Sequence, residues 1–250
     1  MDHLVVSIHQ PNYFPWLGYF FKIYASDIFI FLDDVTYSSS SLTKRCFLRK
    51  QVTSSDKTYL RIPLQKYQYP APLLSLQIDH QQAWQERQRN QILSVYQKSP
   101  YFKTYFPLVE ELLNASRKDE KLIAFNERVI LKMLEVLNIP TKIIRSSNLP
   151  VTGKKADYVL GLVKYCQANI YLSGTGAKKY QEEAIFAAEK IKIVYNEIFG
   201  FLAQKKYPQH QGEFLNGLSI LDALFNIGAA GIQELFELYQ SQLDLSPFED

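Results

Sequence analysis

The chain has 250 residues, enough for one large domain or two small ones. With 47% hydrophobic and 21% charged residues, it carries enough apolar side chain for a sizeable core, which excludes a disordered chain. The net charge is only +3 and no block of like charges occurs, so nucleic acid is not an expected partner.

The two cysteines and the absence of targeting segments predict a cytoplasmic protein. Cys46 and Cys166 are far apart and match no zinc or redox motif, which favours a reduced compartment. The apolar start at residues 4–6 has no basic flank, so it does not resemble a signal peptide. No run of 18 apolar residues occurs, and the sequence therefore predicts no membrane span.

The first elements along the chain predict a βαβ unit. Residues 4–8 form a short β-branched run, which is typical of a strand. Pro15 favours a helix over residues 16–24, and the apolar run 27–32 predicts a strand buried on both faces of a parallel sheet. Two strand-like pieces, 45–50 and 59–63, then predict a hairpin.

Helical periodicity dominates the middle of the chain. Between residues 81 and 137, apolar residues recur three and four positions apart. We expect this segment to pack beside the sheet through four core residues, which are Val129, Ile130, Met133 and Leu134. The periodicity therefore predicts several helices in this region.

Strands and helices alternate again in the last part of the chain. The predicted elements are a strand at 141–144, a helix at 154–167, a strand at 169–172, a helix at 181–189 and a strand at 191–195. The tail 214–239 predicts two helices broken at Gly228 and Gly231. This order predicts an α/β fold with a mostly parallel, Rossmann-like sheet and C-terminal helices. We expect one domain over residues 1–250, with a mainly helical insertion at about 81–138.

The densest polar cluster follows the first predicted strand, where open α/β sheets bind their ligands. His9 is a candidate catalytic base or hydrogen-bonding group, because imidazole changes protonation near neutral pH. Its alternative role is to fasten the loop to backbone carbonyls. Gln10, Asn12, Trp16 and Tyr19 crowd the same turn and are candidates for substrate binding.

Two further charged groups lie at or near the second predicted strand. Asp33 and Asp34 end this strand and are candidate catalytic carboxylates, with sugar hydroxyls or Mg²⁺ as possible partners. Their alternative is a turn stabilised by the aspartate side chain. Arg45 and Arg49 are candidates to clamp a carboxylate or phosphate, and their alternative is a solvated charge on an edge strand.

A glycine-containing loop follows the strand at 169–172. Ser173, Gly174, Thr175 and Gly176 join this strand to a predicted helix, where free N–H groups and the helix dipole favour an anion. The alternative is a tight turn with capping hydroxyls. The spacing matches neither the phosphate-binding P-loop nor the full dinucleotide-binding fingerprint.

The last candidates for substrate binding are Gln209 and Asp222, although Asp222 also suits the first turn of a helix. His3, His80 and His210 have no metal-ligand spacing with one another or with His9, so no metal site is predicted. The sequence also has no G-x-S-x-G motif, which argues against an α/β-hydrolase.

Several motifs occur in an order that resembles the WbqC-like family over nearly the whole chain. They are IHQPNYFPWLGYF at 8–20, FLDDV at 31–35, YLSGTGA at 171–177, YPQ at 207–209 and LSILD at 218–222. The resemblance implies a role in bacterial O-antigen or surface-polysaccharide biosynthesis, for which some members have been proposed to be glycine transferases acting on amino sugars. It supplies no catalytic residue. A histidine expected soon after the middle tryptophan is replaced here by WQER at 84–87, so no role is carried over for it.

A more distant similarity concerns the first βαβ unit alone. Residues 15–19 occupy the place of the H-x-G-H turn of nucleotidyltransferases and pantothenate synthetase, whose histidines stabilise phosphate charge. Trp16 and Tyr19 stand where those histidines would be. The similarity therefore implies a nucleotide-sized pocket and argues against adenylyl transfer by that mechanism.

The resemblance to the WbqC-like family therefore implies a transferase that acylates the amine of a nucleotide-linked amino sugar, with glycine as the acyl group. The sequence identifies neither a cofactor nor the acyl donor: a free amino acid requires ATP, whereas an aminoacyl-tRNA requires a basic surface that the net charge of +3 does not indicate. The alternative is a non-catalytic sugar-nucleotide binder or assembly protein of the same pathway. A glycosyltransferase fits less well, because adjacent carboxylates on a strand point to opposite faces.

Overall fold

A computed structural model describes residues 3–118, 121–178 and 182–248 of the chain. The strands in this part are β1 (Val5–His9), β2 (Ile28–Phe31), β3 (Arg45–Arg49), β4 (Lys57–Arg61), β5 (Lys142–Arg145), β6 (Ile170–Gly174) and β7 (Lys192–Asn196). The α-helices are α1 (Leu17–Tyr24), α2 (Trp84–Tyr96), α3 (Phe102–Ala115), α4 (Leu122–Val136), α5 (Lys155–Tyr165), α6 (Glu183–Ala188), α7 (Ile198–Gln204) and α8 (Ile220–Gln240).

Five of the strands form one parallel sheet in the order β5-β2-β1-β6-β7. This confirms the predicted α/β class and the parallel, Rossmann-like sheet. β3 and β4 pair antiparallel in a separate hairpin, as the sequence also predicts. The helices α2, α3 and α4 occupy the segment between β4 and β5, which confirms the helical middle of the chain.

Helices cover both faces of the parallel sheet, because alternate residues of each strand point to opposite sides. Val5 of β1 belongs to the larger core cluster, which includes side chains of α1, the middle helices and α8. Val6 and Ile8 belong to a smaller cluster with α5 and α6. The four predicted core residues of α4 are buried in the larger cluster, which confirms their assignment; they are Val129, Ile130, Met133 and Leu134.

The last elements differ from the prediction in three respects. The tail helix begins at Ile220, after a loop, rather than near residue 214. A short helix, α7, was not predicted, and the helix predicted at 181–189 is observed as Glu183–Ala188, with Gln181 outside the described residues. Gly228 breaks the helical geometry of α8 as predicted, but the predicted break at Gly231 is wrong.

The kink at Gly228 depends on a backbone conformation that glycine adopts without strain. Gly228 has φ of +68°, and a Cβ atom at this position would lie 2.9 Å from Cδ1 of Tyr101. The carbonyl of Phe225, close to the kink, accepts a hydrogen bond of 3.0 Å from the N–H of Tyr101. The start of α3 therefore packs directly against the kink.

We expect Gly228→Ala to lower the free energy of unfolding by about 1–3 kcal/mol, because it combines backbone strain with overpacking. The matched control is Gly200→Ala in α7, where no atom lies within 4 Å of the added Cβ. Urea denaturation of both variants measures the difference. Equal stabilities would show that the kink relaxes without cost.

Candidate functional site

The strand order reverses direction at β1, so the loops after β1 and β6 flank the reversal at the carboxyl edge of the sheet. The chain runs outward from β1 through β2 to β5 and then returns to β6 on the other side of β1, and ligands of such sheets bind at this reversal. The pairing of β1 with β6 extends to Val6 and Tyr171, whereas the pairing of β1 with β2 continues to His9. Ser7 Oγ then donates to the Leu172 carbonyl at 2.9 Å. We call the gap between residues 7–9 and 172–174 the β1–β6 opening.

A buried lysine supplies a polar group at this opening. The Leu4 carbonyl accepts a hydrogen bond from the N–H of Ile170 in β6, and carbonyls alternate along a strand, so the Ile8 carbonyl points to the same side. It accepts a hydrogen bond of 2.9 Å from Lys22 Nζ instead of one from β6. The side chain of Lys22 therefore reaches from α1 to the β1–β6 opening.

Lys22 is 3% exposed, and burial lowers its pKa from 10.5 to about 7. An amine with this pKa is present in both protonation states at neutral pH. The sequence analysis did not select this residue, although it is the one charged side chain in the otherwise apolar α1. The sequence signal that could have identified Lys22 is a single lysine within an otherwise apolar helix.

His9 lies at the end of β1 and is partly exposed. Its Nε2 is 3.4 Å from Asn12 Nδ2, and its ring packs edge-to-face on Tyr19 at 5.0 Å. Burial, and then the nearby charge of Lys22, lower the pKa of His9 to about 3. The imidazole is therefore neutral at pH 7, with one donor and one acceptor nitrogen, which favours hydrogen bonding over the role of general base.

The other predicted residues of the first loop occupy different depths. Gln10 is partly exposed beside His9, and Asn12 is buried. The indole of Trp16 lies over Gly18, where a Cβ atom would overlap its ring. Tyr19 is 1% exposed and belongs to the core. Its position therefore gives no support to the predicted contact between its side chain and a ligand.

The glycine loop after β6 leaves the same edge of the sheet as the loop after β1, because the two strands are parallel neighbours. Ser173 is buried, Gly174 is partly exposed, and Thr175 and Gly176 are exposed. No atom lies within 4 Å of a Cβ built on either glycine, so a ligand has room to approach the backbone. The loop continues through the short 3-10 helix Thr175–Ala177, and the helix that the sequence predicts after it is α6.

Asp33 and Asp34 fasten the end of β2 to the segment after β5. Asp33 accepts hydrogen bonds from the Ser147 N–H at 3.0 Å and from the Ser147 hydroxyl at 2.8 Å. Asp34 accepts one from Ser146 Oγ and one from the Tyr158 hydroxyl, both at 2.6 Å. These contacts favour a structural role for both carboxylates, and their catalytic role stays a prediction.

An ion pair that the sequence analysis missed lies next to Asp33. Glu127 of α4 is 3% exposed and accepts two hydrogen bonds from the Arg145 guanidinium, one of them 2.9 Å long. Burial raises the pKa of Glu127 despite this partner. A cavity of about 200 Å³ is lined by this pair together with Asp33 and Lys121. Glu127 and Arg145 are 18 residues apart in sequence, so no local sequence pattern indicated that they form a pair.

The remaining predicted residues lie away from the opening. Arg45 of β3 lies over the ring of Tyr59 at 4.8 Å and lines a separate cavity. Arg49 is fully buried and donates to Gln209 Oε1 at 2.7 Å, and Gln209 in turn donates to Asp222 at 2.8 Å. This buried network joins the hairpin to α8, which favours a structural role for its three members over contact with a ligand.

Neither a metal site nor a membrane-spanning helix is found in the described residues. No group of three or more histidine, cysteine, aspartate or glutamate side chains there is arranged to hold a metal ion. None of the helices in these segments is long and apolar enough to cross a bilayer.

Comparison with known proteins identifies the family. The model of the WbqC-like protein family matches residues 10–234. A protein of Mycobacterium tuberculosis (strain ATCC 25618 / H37Rv), named "Uncharacterized protein Rv1507c", is 27% identical over 225 residues, which cover 90% of this chain and 94% of that protein. No solved structure gives a significant match. The family match includes the loop after β1, all of β6 and most of α8, and the chain therefore belongs to the WbqC-like protein family.

Proposed function

We propose that this chain transfers an acyl group, with glycine as the expected one, to the amine of a nucleotide-linked amino sugar used for a bacterial surface polysaccharide. The resemblance to the WbqC-like family supplies the reaction class. The position of Lys22 Nζ at the β1–β6 opening, 2.9 Å from the Ile8 carbonyl, is the observation that carries the assignment of the site.

The reaction requires that the sugar ammonium lose a proton before its nitrogen attacks. Lys22 in its neutral form takes this proton, since its pKa of about 7 suits a general base at neutral pH. The amine then forms a bond to the carbonyl carbon of an activated ester or mixed anhydride. The bond to the leaving group breaks, and the leaving group receives the proton from Lys22.

His9 has a different part in this proposal. As the carbonyl is attacked, negative charge develops on its oxygen, and a fixed N–H donor stabilises that charge. The neutral imidazole of His9, at the end of β1, supplies such a donor. The open backbone at Gly174 and Gly176 offers N–H groups to the diphosphate of the sugar nucleotide.

A transfer assay with two donors tests the proposal. Purified protein is incubated with a panel of nucleotide-linked amino sugars and either glycyl-tRNA or glycine plus ATP, and mass spectrometry measures the acylated sugar. We expect product with one donor, and His9→Gln should lower the turnover by about 10²–10³-fold while the dissociation constant of the sugar nucleotide changes little. Tight binding without product from either donor would instead identify a non-catalytic sugar-nucleotide binder.

A further inference from the structure

A second site is formed by the hairpin and the beginning of α2. These elements line a surface cavity of about 480 Å³, a volume within the range of small-molecule sites. Four basic side chains line it, namely Lys44, Arg45, Arg61 and Arg87. None of the described residues that line the cavity is acidic, and the ion pairs found among the described residues include none of these four.

The arrangement of these charges is unfavourable for the protein without a ligand. Arg45 and Arg61 are directly opposite each other in the β3–β4 register, and like charges at such positions destabilise a hairpin. Both guanidinium groups lie over the ring of Tyr59, with Cζ at 4.8 and 4.7 Å from its centroid. Burial, followed by the charges of Arg45 and Arg61, lowers the pKa of Lys44. The fold concentrates positive charge here, and an anionic ligand would offset the repulsion.

An unpaired buried donor points to the same kind of ligand. Trp84 lines the cavity and is 1% exposed, and its indole N–H has no hydrogen-bond partner in the described structure. The Nε of Arg45 is likewise buried without a partner. Buried donors are normally paired, and both of these require an acceptor. Both nitrogens are closed to solvent in the ligand-free fold, so oxygen atoms of a ligand would meet that requirement after a local shift of the side chains.

We propose that this cavity binds a polyphosphate group, such as the diphosphate or triphosphate of a nucleotide. Phosphate oxygens are acceptors that carry charge, which matches a lining of guanidinium, ammonium and indole donors. The limited volume of the cavity and the net charge of only +3 favour a small ligand over a nucleic acid strand. This inference uses no part of the proposed transferase activity.

The cavity is joined to the loop after β1 through one buried side chain. Gln88 lines the cavity, donates to the Arg61 carbonyl at 2.9 Å and accepts a hydrogen bond from the hydroxyl of Tyr13. Tyr13 lies in the loop after β1, four residues after His9. A polyphosphate bound in the cavity therefore lies one side chain away from the loop that borders the β1–β6 opening.

Calorimetric titration of the full chain with inorganic tripolyphosphate tests the proposal. Arg61→Gln and Arg87→Gln each remove one cavity charge, and each should weaken binding by about tenfold, the effect of one charge-assisted hydrogen bond. Arg89→Gln is the matched control, because Arg89 lies on the same helix but pairs with Glu110 at 2.5 Å outside the cavity. It should leave the dissociation constant unchanged.

Thermal melts of the same proteins separate binding from folding. Tripolyphosphate should raise the melting temperature of the unmodified chain and of Arg89→Gln, and the rise should be smaller for Arg61→Gln and Arg87→Gln because they bind it more weakly. The proposal would be overturned if tripolyphosphate does not bind, or if Arg89→Gln weakens binding as much as the cavity variants. Tighter binding of a single-stranded RNA that tripolyphosphate does not displace would overturn it in favour of a nucleic-acid surface.

Discussion

Lys22→Met should reduce the turnover of acyl transfer by about 10²–10⁴-fold, the contribution of a positioned general base. The parent rate should rise with pH through an apparent pKa near 7, because only the neutral amine accepts the proton of the sugar ammonium. The variant should lose this limb of the pH profile. Initial rates between pH 5.5 and 9, measured by mass spectrometry of the acylated sugar, provide the comparison.

Lys22→Met lowers the expected turnover, but it should raise the free energy of unfolding at the pH values where a buried charged amine is costly. The pKa of Lys22 is about 7 in the folded chain and 10.5 when unperturbed, so the unfolded chain binds more protons between these values and the parent becomes less stable as pH falls from 10.5 to 7. Methionine removes that dependence. As pH falls from 10.5 to 7, the free energy of unfolding of Lys22→Met should rise relative to that of the parent by on the order of 3–5 kcal/mol. At every pH the variant also loses a constant amount of stability, because the Ile8 carbonyl is left unpaired.

Lys22→Arg separates a base from a fixed charge, because arginine stays protonated at every pH of the assay. If Lys22 acts as the base, the arginine variant should be as inactive as the methionine variant while still binding the sugar nucleotide. Full activity of the arginine variant would show that the charge alone matters. In that case the proton acceptor must be another group, and Glu127, whose pKa burial raises, would be tested next.

The fold was predictable where the pattern of apolar residues is local. Residues 28–32 are apolar at successive positions, which indicated a strand covered on both faces, and β2 is largely buried between β5 and β1 in the parallel sheet. The order of strands was not predictable, because β1 pairs with β6 across about 165 residues. Gly231 illustrates another limit: glycine lowers helix propensity, but packing in α8 keeps it helical.

The position of the candidate site in the fold was easier to predict from the sequence than the roles of its residues. Each of the two candidate loops follows a predicted strand, and the parallel pairing of β1 with β6 places both loops at one edge of the sheet. Asp33 was selected for its position at a strand end, but its partners Ser146 and Ser147 lie more than 110 residues away in sequence. A buried arginine such as Arg49 has the same local sequence signature as an arginine on an edge strand. Burial, which decides between these roles, is a property of the tertiary structure.

Arg49→Met should lower the free energy of unfolding by about 3–5 kcal/mol, which is the cost of removing one partner of a buried charge network. Arg49 is 0% exposed and donates to the carbonyls of Ser54 and Glu213 as well as to Gln209. Methionine fills a similar volume but leaves these acceptors unpaired. For a chain of this length, the melting temperature should fall by about 10 °C. A ligand-binding arginine would instead lower affinity with little loss of stability.

The pH dependence of this loss of stability tests whether Arg49 offsets the cost of the buried Asp222 carboxylate. Burial raises the pKa of Asp222 to about 6, while Arg49 acts to lower it, so Arg49→Met should raise it further. An acid with a raised folded-state pKa destabilises the fold above that pKa and ceases to do so when it is protonated. The stability deficit of Arg49→Met should therefore be larger at pH 8 than at pH 5, and Asp222→Asn in the same chain should restore part of it at pH 8. Urea denaturation of the two single variants and the double variant measures the coupling, and strictly additive losses would show that the two side chains act independently.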